Sequence, residues 1–150
     1  MRKKAINTPL GLMIAVADEQ TLHSLEFGDH SDIPTGDTPP LRSIEQELQH
    51  YFAGQLRKFT TPLTLQGTSF QKRVWEELLK IPYGDTCSYA TLAAAIDHPT
   101  AFRAVAQANG ANRIAIVIPC HRVINTSGAL GGYNSGIERK KWLLQREASK

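Results

Sequence analysis

One hundred and fifty residues, 41% hydrophobic and 21% charged, suit one compact domain or two small abutting ones and argue against a disordered chain. The opening Met1-Arg2-Lys3-Lys4 is basic but runs into Ala5-Ile6-Asn7-Thr8-Pro9, and nowhere do eighteen apolar residues follow one another, so a cytoplasmic chain with no membrane partner is expected. The net charge of +3 is unevenly spread: residues 1–66 carry six Lys and Arg against eight Asp and Glu (net −2), and residues 67–150 carry eleven against six (net +5).

In chain order, Thr8-Pro9-Leu10-Gly11 is turn chemistry, and Leu12 to Ala17 and Leu22 to Phe27 read as two strands joined at Asp18-Glu19-Gln20. Gly28 to Pro40, with three Pro and two Gly, reads as a loop. Leu41, Ile44, Leu48, Tyr51 and Phe52 then recur at helical spacing up to Gly54. Phe59 to Gly67 is Thr-rich and interrupted by Pro62, which makes it an edge strand or a connection between subdomains; the boundary is placed near Gly67.

Beyond it, Phe70, Val74, Trp75, Leu78 and Leu79 form an apolar helical stripe that Pro82 and Gly84 break. Ser88 is a candidate cap for a helix from Tyr89 to Ile96, Asp97-His98-Pro99 makes a tight turn, and Thr100 is expected to cap a second helix ending at Asn109-Gly110. Two short helices about a tight turn suggest a helix-turn-helix. Ile114 to Ile118 is expected to be a buried strand, followed by a turn at Asn125-Thr126-Ser127-Gly128, a glycine-rich loop from Gly131 to Gly136 and a last helix with Trp142, Leu143 and Leu144. There is no internal repeat.

The second helix of the pair, Ala101 to Ala108, is poor in the Arg, Lys, Asn and Gln that a major-groove reader needs. Its small side chains and single Arg103 suit a minor groove, where sugar and phosphate contacts dominate; equally, an Ala-rich helix can pack inside a domain with its arginine solvated. The basic balance of residues 67–150 admits a polyanion partner and also a plain solvated surface.

The chemistry concentrates at Ile118-Pro119-Cys120-His121-Arg122-Val123, where an apolar run ends in a potential nucleophile beside a proton-handling group. A free cysteine is mostly thiol at neutral pH, so a neighbouring base must take its proton, and His121 is the candidate. Adjacent strand residues face opposite ways, so the two cooperate only if the chain leaves the strand at Pro119 or a water bridges them. Cys87 and Cys120 are too few for a disulfide scaffold and are expected to be free, with Cys87 a buried inert thiol. The scattered His23, His30, His50 and His98 offer no metal-binding spacing, so no metal is expected.

This stretch, together with Gly67-Thr68-Ser69-Phe70, Val74-Trp75, Ile81-Pro82-Tyr83-Gly84, Ser88-Tyr89, Phe102-Arg103-Ala104-Val105, Asn109-Gly110, Gly132-Tyr133 and Trp142-Leu143-Leu144, resembles the O6-alkylguanine-DNA alkyltransferases, the methylated-DNA-protein-cysteine methyltransferases. The resemblance runs from about Gly67 to Glu147. It implies an α/β fold: an N-terminal support subdomain, residues 1–66, with a small mostly antiparallel sheet, and a mainly helical C-terminal subdomain, residues 67–150, with the helix-turn-helix and the cysteine.

The activity so implied is extrusion of O6-alkylguanine from double-stranded DNA and irreversible transfer of the alkyl group to Cys120, by a monomer without cofactor. The resemblance further implies a water between Cys120 and His121, Glu147 as the carboxylate that orients His121, Tyr89 as proton donor to the departing guanine, and Asn112 as a brace for the loops around the cysteine. Arg103 matches the finger that fills the gap left by the extruded nucleotide, with Thr100, Ala101, Phe102, Ala104 and Ala106 around it on DNA. Tyr133, Asn134, Ser135 and Val123 are expected at the substrate pocket; Asn134 departs from the family, which more often has a small residue after this tyrosine.

Three other readings exist. A non-catalytic lesion binder of the alkyltransferase-like kind carries tryptophan in place of Cys120. A cysteine hydrolase would need an oxyanion loop, and none is evident. A helix-turn-helix transcription factor lacks base-reading side chains.

Overall fold

The computed structural model describes residues 1–149, which divide into two compact units: residues 1–66 with 113–115, and residues 67–112 with 116–149. In the first unit β1 (Arg2–Thr8), β2 (Gly11–Ala17) and β3 (Leu22–Phe27) form an antiparallel sheet in that order, covered by α1 (Pro39–Phe52). Ile6, Met13, Ala15, Leu22 and Leu25 from the strands and Leu41, Ile44, Leu48 and Tyr51 from the helix are buried, each large side chain adding about 1.5–3 kcal/mol of burial. The helix begins two residues earlier than expected because Pro39 and Pro40 occupy its first turn, where a missing N–H costs nothing.

The basic opening is a strand. Only Ile6 of β1 is buried while Arg2, Lys3 and Lys4 lie open or half-open, so the apolar alternation that marks a strand is too thin to read. The Thr-rich segment is a connection, pairing with β3 only as an isolated bridge between Leu22 and Leu63, beside a side-chain contact from Gln66 to His23. Buried Glu47 of α1 ties it down by accepting from the Thr60 amide at 2.8 Å, the Thr61 amide at 3.0 Å and both threonine hydroxyls. On the far side of the Leu22–Phe27 strand, Leu25 donates to Arg113 and accepts from Ala115, so three residues from late in the chain complete this unit.

The second unit opens with α2 (Ser69–Leu78), started by a reciprocal capping box between Thr68 and Gln71. At Gly67 a Cβ would lie 2.6 Å from the Trp75 ring, so the entry to this helix requires glycine. Val74, Trp75 and Leu78 face inward, and Trp75 Nε1 donates to Ala108 O at 2.8 Å, fastening α2 to α4 (Phe102–Gly110). Between them α3 (Tyr89–Ala95) is capped by the Ser88 hydroxyl, and the chain reverses through Asp97 at φ 62°.

Thr100 does not cap the next helix. The helix starts at Phe102 after Ala101, and the Ala101 amide donates to His98 O at 2.9 Å, leaving Thr100 exposed in the turn and one residue too early for the role.

The expected strand at Ile114–Ile118 is a second correction. Only Ile114 bridges to β3; residues 115–117 form a turn, with Ile116 at φ 73°. Its apolar residues are buried regardless of local backbone, which makes the run look strand-like in sequence. A β-branched residue in the left-handed region stores roughly 1–3 kcal/mol of strain, which the surrounding packing must hold. A 3₁₀ turn at Cys120–Arg122 follows, then β5 (Val123–Ile124), which pairs in parallel with β4 (Cys87–Ser88), and finally α5 (Ile137–Ser149). Cys87 is half-buried rather than buried, and burial raises its thiol pKa, with Glu77 adding to the rise. Among the described residues no helix is long and apolar enough to cross a membrane.

Candidate active site

Cys120 sits where the chain leaves its buried turn. Pro119 flanks the 3₁₀ turn, Cys120 N donates to Ile118 O at 2.7 Å, and Arg122 N to Pro119 O at 2.9 Å, so Cys120 and His121 no longer alternate as strand neighbours. Asn112 Nδ2 donates to Cys120 Sγ at 3.3 Å and to Ile118 O at 2.9 Å, while Asn109 Nδ2 donates to Cys120 O at 3.3 Å. One asparagine thus holds the sulfur and the other the backbone carbonyl of the same residue. With Cys120 only 6% exposed, burial pushes its thiol above the ordinary range; the Asn112 hydrogen bond and the Lys140 charge oppose that shift. The resting group is a thiol.

His121 and Glu147 are fully buried, with His121 Nε2 2.7 Å from Glu147 Oε2. Arg122 clamps the same carboxylate, Nε to Oε1 at 2.7 Å and Nη2 to Oε2 at 3.1 Å, and sends Nη1 to Ile81 O at 2.7 Å. Burial works against Glu147, but hydrogen bonds from His121 and Arg122 hold its carboxyl at about 2. Burial lowers the His121 pKa despite that partner, which keeps the imidazole neutral.

A carboxylate accepting at Nε2 assigns the proton to that nitrogen, leaving the Nδ1 lone pair basic. Nδ1 is buried and has no hydrogen-bond partner among the described residues. Glu147 belongs to α5, whose Leu143 is also buried, so the carboxylate is held by packing three residues from the chain end instead of fraying into solvent.

Cys120, Tyr89, Tyr133, Asn134 and Ala106 line one cleft of ≈ 360 Å³, a size that admits a purine-sized group. Burial raises the Tyr89 hydroxyl pKa, Asn109 offsets it in part, and a thiolate at Cys120 would raise it further. Tyr133 is driven well above the usual phenol range by burial and by Cys120. Both phenols are therefore protonated donors at neutral pH.

Val123 is not in the cleft: it is fully buried in β5, and its carbonyl accepts from Lys140 Nζ at 2.6 Å. Ser135 does not line the cleft either, and its carbonyl accepts from Arg139 at 2.9 Å. Ser135 follows Asn134 in sequence and its side chain acts on the Tyr133 hydroxyl of the wall, whereas Val123 lies three residues beyond Cys120.

On α4, Phe102, Arg103, Ala104 and Ala106 are exposed while Val105 and Ala108 are buried. The helix is therefore not packed wholly inside its unit, and no described residue forms an ion pair with Arg103. Arg73 Nη2 donates to Ile96 O at 2.6 Å, and the Phe70 ring sits edge-on to His98 at 5.6 Å, so α2 steadies the turn that aims α4.

Three residues of this centre escape sequence reasoning: Asn109, Arg122 and Lys140. Lys140 is fully buried and links Val123 O to Gly132 O, the latter at 3.0 Å, placing a cation near Cys120 and anchoring the glycine-rich loop. Lysine and arginine normally read as solvated, and the available signal was their place on the inward side of α5 and beside Cys120. Among the described residues no group of three or more His, Cys, Asp or Glu is arranged to hold a metal.

The family model described as "6-O-methylguanine DNA methyltransferase, DNA binding domain" matches residues 69–149, and "6-O-methylguanine DNA methyltransferase, ribonuclease-like domain" matches residues 1–65. The methylated-DNA--protein-cysteine methyltransferase of Mycobacterium bovis is 43% identical over 152 residues, spanning 98% of this chain and 92% of its own. The constitutive one of Bacillus subtilis is 42% identical, spanning 93% and 91%. The crystal structure of Mycobacterium tuberculosis OGT in complex with DNA superposes with a TM-score of 0.93 at 43% identity, over 99% of this chain and 94% of that one.

Proposed function

The chain belongs to the 6-O-methylguanine DNA methyltransferase family, and from that premise we propose that Cys120 accepts the alkyl group of an O6-alkylguanine extruded from double-stranded DNA. The observation that carries this assignment to particular atoms is a cysteine lining a purine-sized cleft beside a histidine whose far nitrogen is fixed by a buried carboxylate. Residues 67–150 are assigned to DNA binding and alkyl acceptance, and residues 1–66 to support.

A base within the duplex hides its O6 substituent, so the nucleotide must leave the stack, at roughly a few kcal/mol. Arg103, exposed on α4 and without an ion-pair partner among the described residues, fills the gap, and Ala101, Ala104 and Ala106 permit close approach to the minor groove with little sequence preference. Thr100, exposed in the turn, meets the DNA backbone in this reading.

In the cleft, His121 Nδ1 takes the thiol proton through one water, and the thiolate attacks the alkyl carbon in line. The S–C bond forms as the C–O6 bond breaks, and the electron pair passes into the purine, which gains a proton from Tyr89. Glu147 stabilises the imidazolium for as long as it exists. Asn112 steadies the developing thiolate, and Lys140 supplies positive charge nearby. Tyr133 and Asn134 bound the pocket wall. The product thioether has no group beside it able to cleave it, so each molecule acts once.

A lesion sensor would have no use for a thiol held in this way. The proposed compartment is the cytoplasm, where the thiol stays reduced. The test is nucleoside analysis of a duplex carrying O6-methylguanine: the chain should restore guanine in one-to-one amount, and Cys120→Ala should restore none. Restoration by Cys120→Ala removes the assignment.

A further inference from the structure

Phe102 is 49% exposed, the one aromatic among the large apolar side chains left this open among the described residues. Exposure alone means little for a single side chain. Its position gives it meaning. Phe102 lies one helical turn before Ala106, and Ala106, Asn109 and Gly110 of the same helix line the cleft that holds Cys120. The buried Val105 and Ala108 face the body of the unit, so the exposed ring continues the stripe of Ala106 and Gly110 one turn beyond the cleft lining, with Arg103 as its chain neighbour.

Folding leaves this ring in water although the unit buries every other aromatic on its inner faces at least in part. Arg103 fills the gap but, as a charged group, cannot give the flanking base an apolar stacking surface. A phenyl ring can, and apolar side chains inserted from the minor groove are a general means of unstacking bases.

We propose that Phe102 is a wedge: on binding, its ring enters the minor groove and stacks on the base next to the extruded nucleotide, so that Phe102 and Arg103 hold the opened duplex together. This rests on the reading of Cys120 as the acceptor of alkyl groups from DNA. The neighbouring base thereby exchanges its lost stacking partner for the phenyl ring, and the extruded state gains lifetime in the cleft.

The test pairs two substrates with two variants. Transfer rates to the wild-type chain, Phe102→Ala and Phe102→Trp are measured with a duplex carrying O6-methylguanine next to 2-aminopurine, whose fluorescence rises on unstacking, and with free O6-benzylguanine base, which needs no extrusion. The expected result is a duplex-to-free-base rate ratio about tenfold or more lower for Phe102→Ala, with the fluorescence change diminished, and near wild type for Phe102→Trp. Equal slowing on both substrates assigns the ring a packing role and overturns the wedge, as does an unchanged ratio. A wild-type chain that fails on both substrates overturns the acceptor reading itself, a result separable from any effect of Phe102.

Discussion

Apart from the open His30–Asp32 pair of the first unit, each unit holds a histidine packed beside a carboxylate, and these two pairs behave differently. In the first, His23 Nε2 lies 2.9 Å from Asp18 Oδ2, but the Asp18 side chain is 45% exposed and His23 Nδ1 meets Gln66 at 3.3 Å. The Asp18 carboxyl is lowered chiefly by the Thr21 and Gln20 amides of its own turn, with His23 a lesser cause. In the second, His121 and Glu147 are 0% and 1% exposed, and Nδ1 has no hydrogen-bond partner among the described residues. Proximity of the two groups is thus common to both. A general base needs an uncommitted lone pair, and of these two pairs only the second has one.

The largest expected effect comes from breaking the second pair. Glu147→Gln leaves Arg122 and His121 without their buried anion, so the transfer rate to Cys120 should fall about 10²-fold or more. Stability should drop by about 3–5 kcal/mol, lowering Tm by about 10 °C. Stopped-flow transfer and calorimetry measure the two. An equal loss from Asp18→Asn would erase the distinction between the pairs.

Next in size is the outer face of α4. Arg103→Ala should slow transfer from duplex at least about tenfold while its effect on free O6-benzylguanine base is smaller, read as the ratio of the two rates. Equal effects would make Arg103 a structural residue.

Acid titration sharpens the comparison further. Glu147, held at about 2 against an ordinary 4.5, contributes stability that is complete above pH 4.5 and lost as pH falls towards 2. His121, with its pKa lowered from 6.5, likewise contributes above 6.5 and loses that contribution as pH falls through its folded value. The urea midpoint should therefore decline below pH 6.5 and again below 4.5, with the lower step smaller in Glu147→Gln but not lost, because Glu47 and Asp18, whose carboxyls are also held low, keep their share of it. The smallest effect is expected at His23→Ala: about 1 kcal/mol or less of stability, and an unchanged transfer rate.

How far this difference could be read beforehand follows from the physics of each signal. The hairpin, α1 and the apolar stripe of α2 follow from periodicity, which is local, while the Thr68–Gln71 capping box that starts α2 escapes sequence reasoning. The first strand was invisible because its lysines keep their side chains in solvent and only Ile6 faces the core. The run Ile114–Ile118 announced burial correctly and backbone wrongly, since a buried turn and a buried strand share the same composition. Within the site, Cys120-His121 declared itself by chemistry. Glu147 entered only through family resemblance, and nothing local marked Lys140 as the buried cation beside it. Tertiary burial of a charged residue leaves little trace in its neighbours, so the groups that tune the thiol are the last to be legible.

The central claim is that Cys120 is a single-use alkyl acceptor. It is tested most directly by intact-protein and peptide mass spectrometry after mixing the chain with excess duplex carrying one O6-methylguanine. The account predicts one methyl equivalent, located on Cys120, with no further turnover. Binding without any gain in mass, or a methyl group on Cys87, would contradict it.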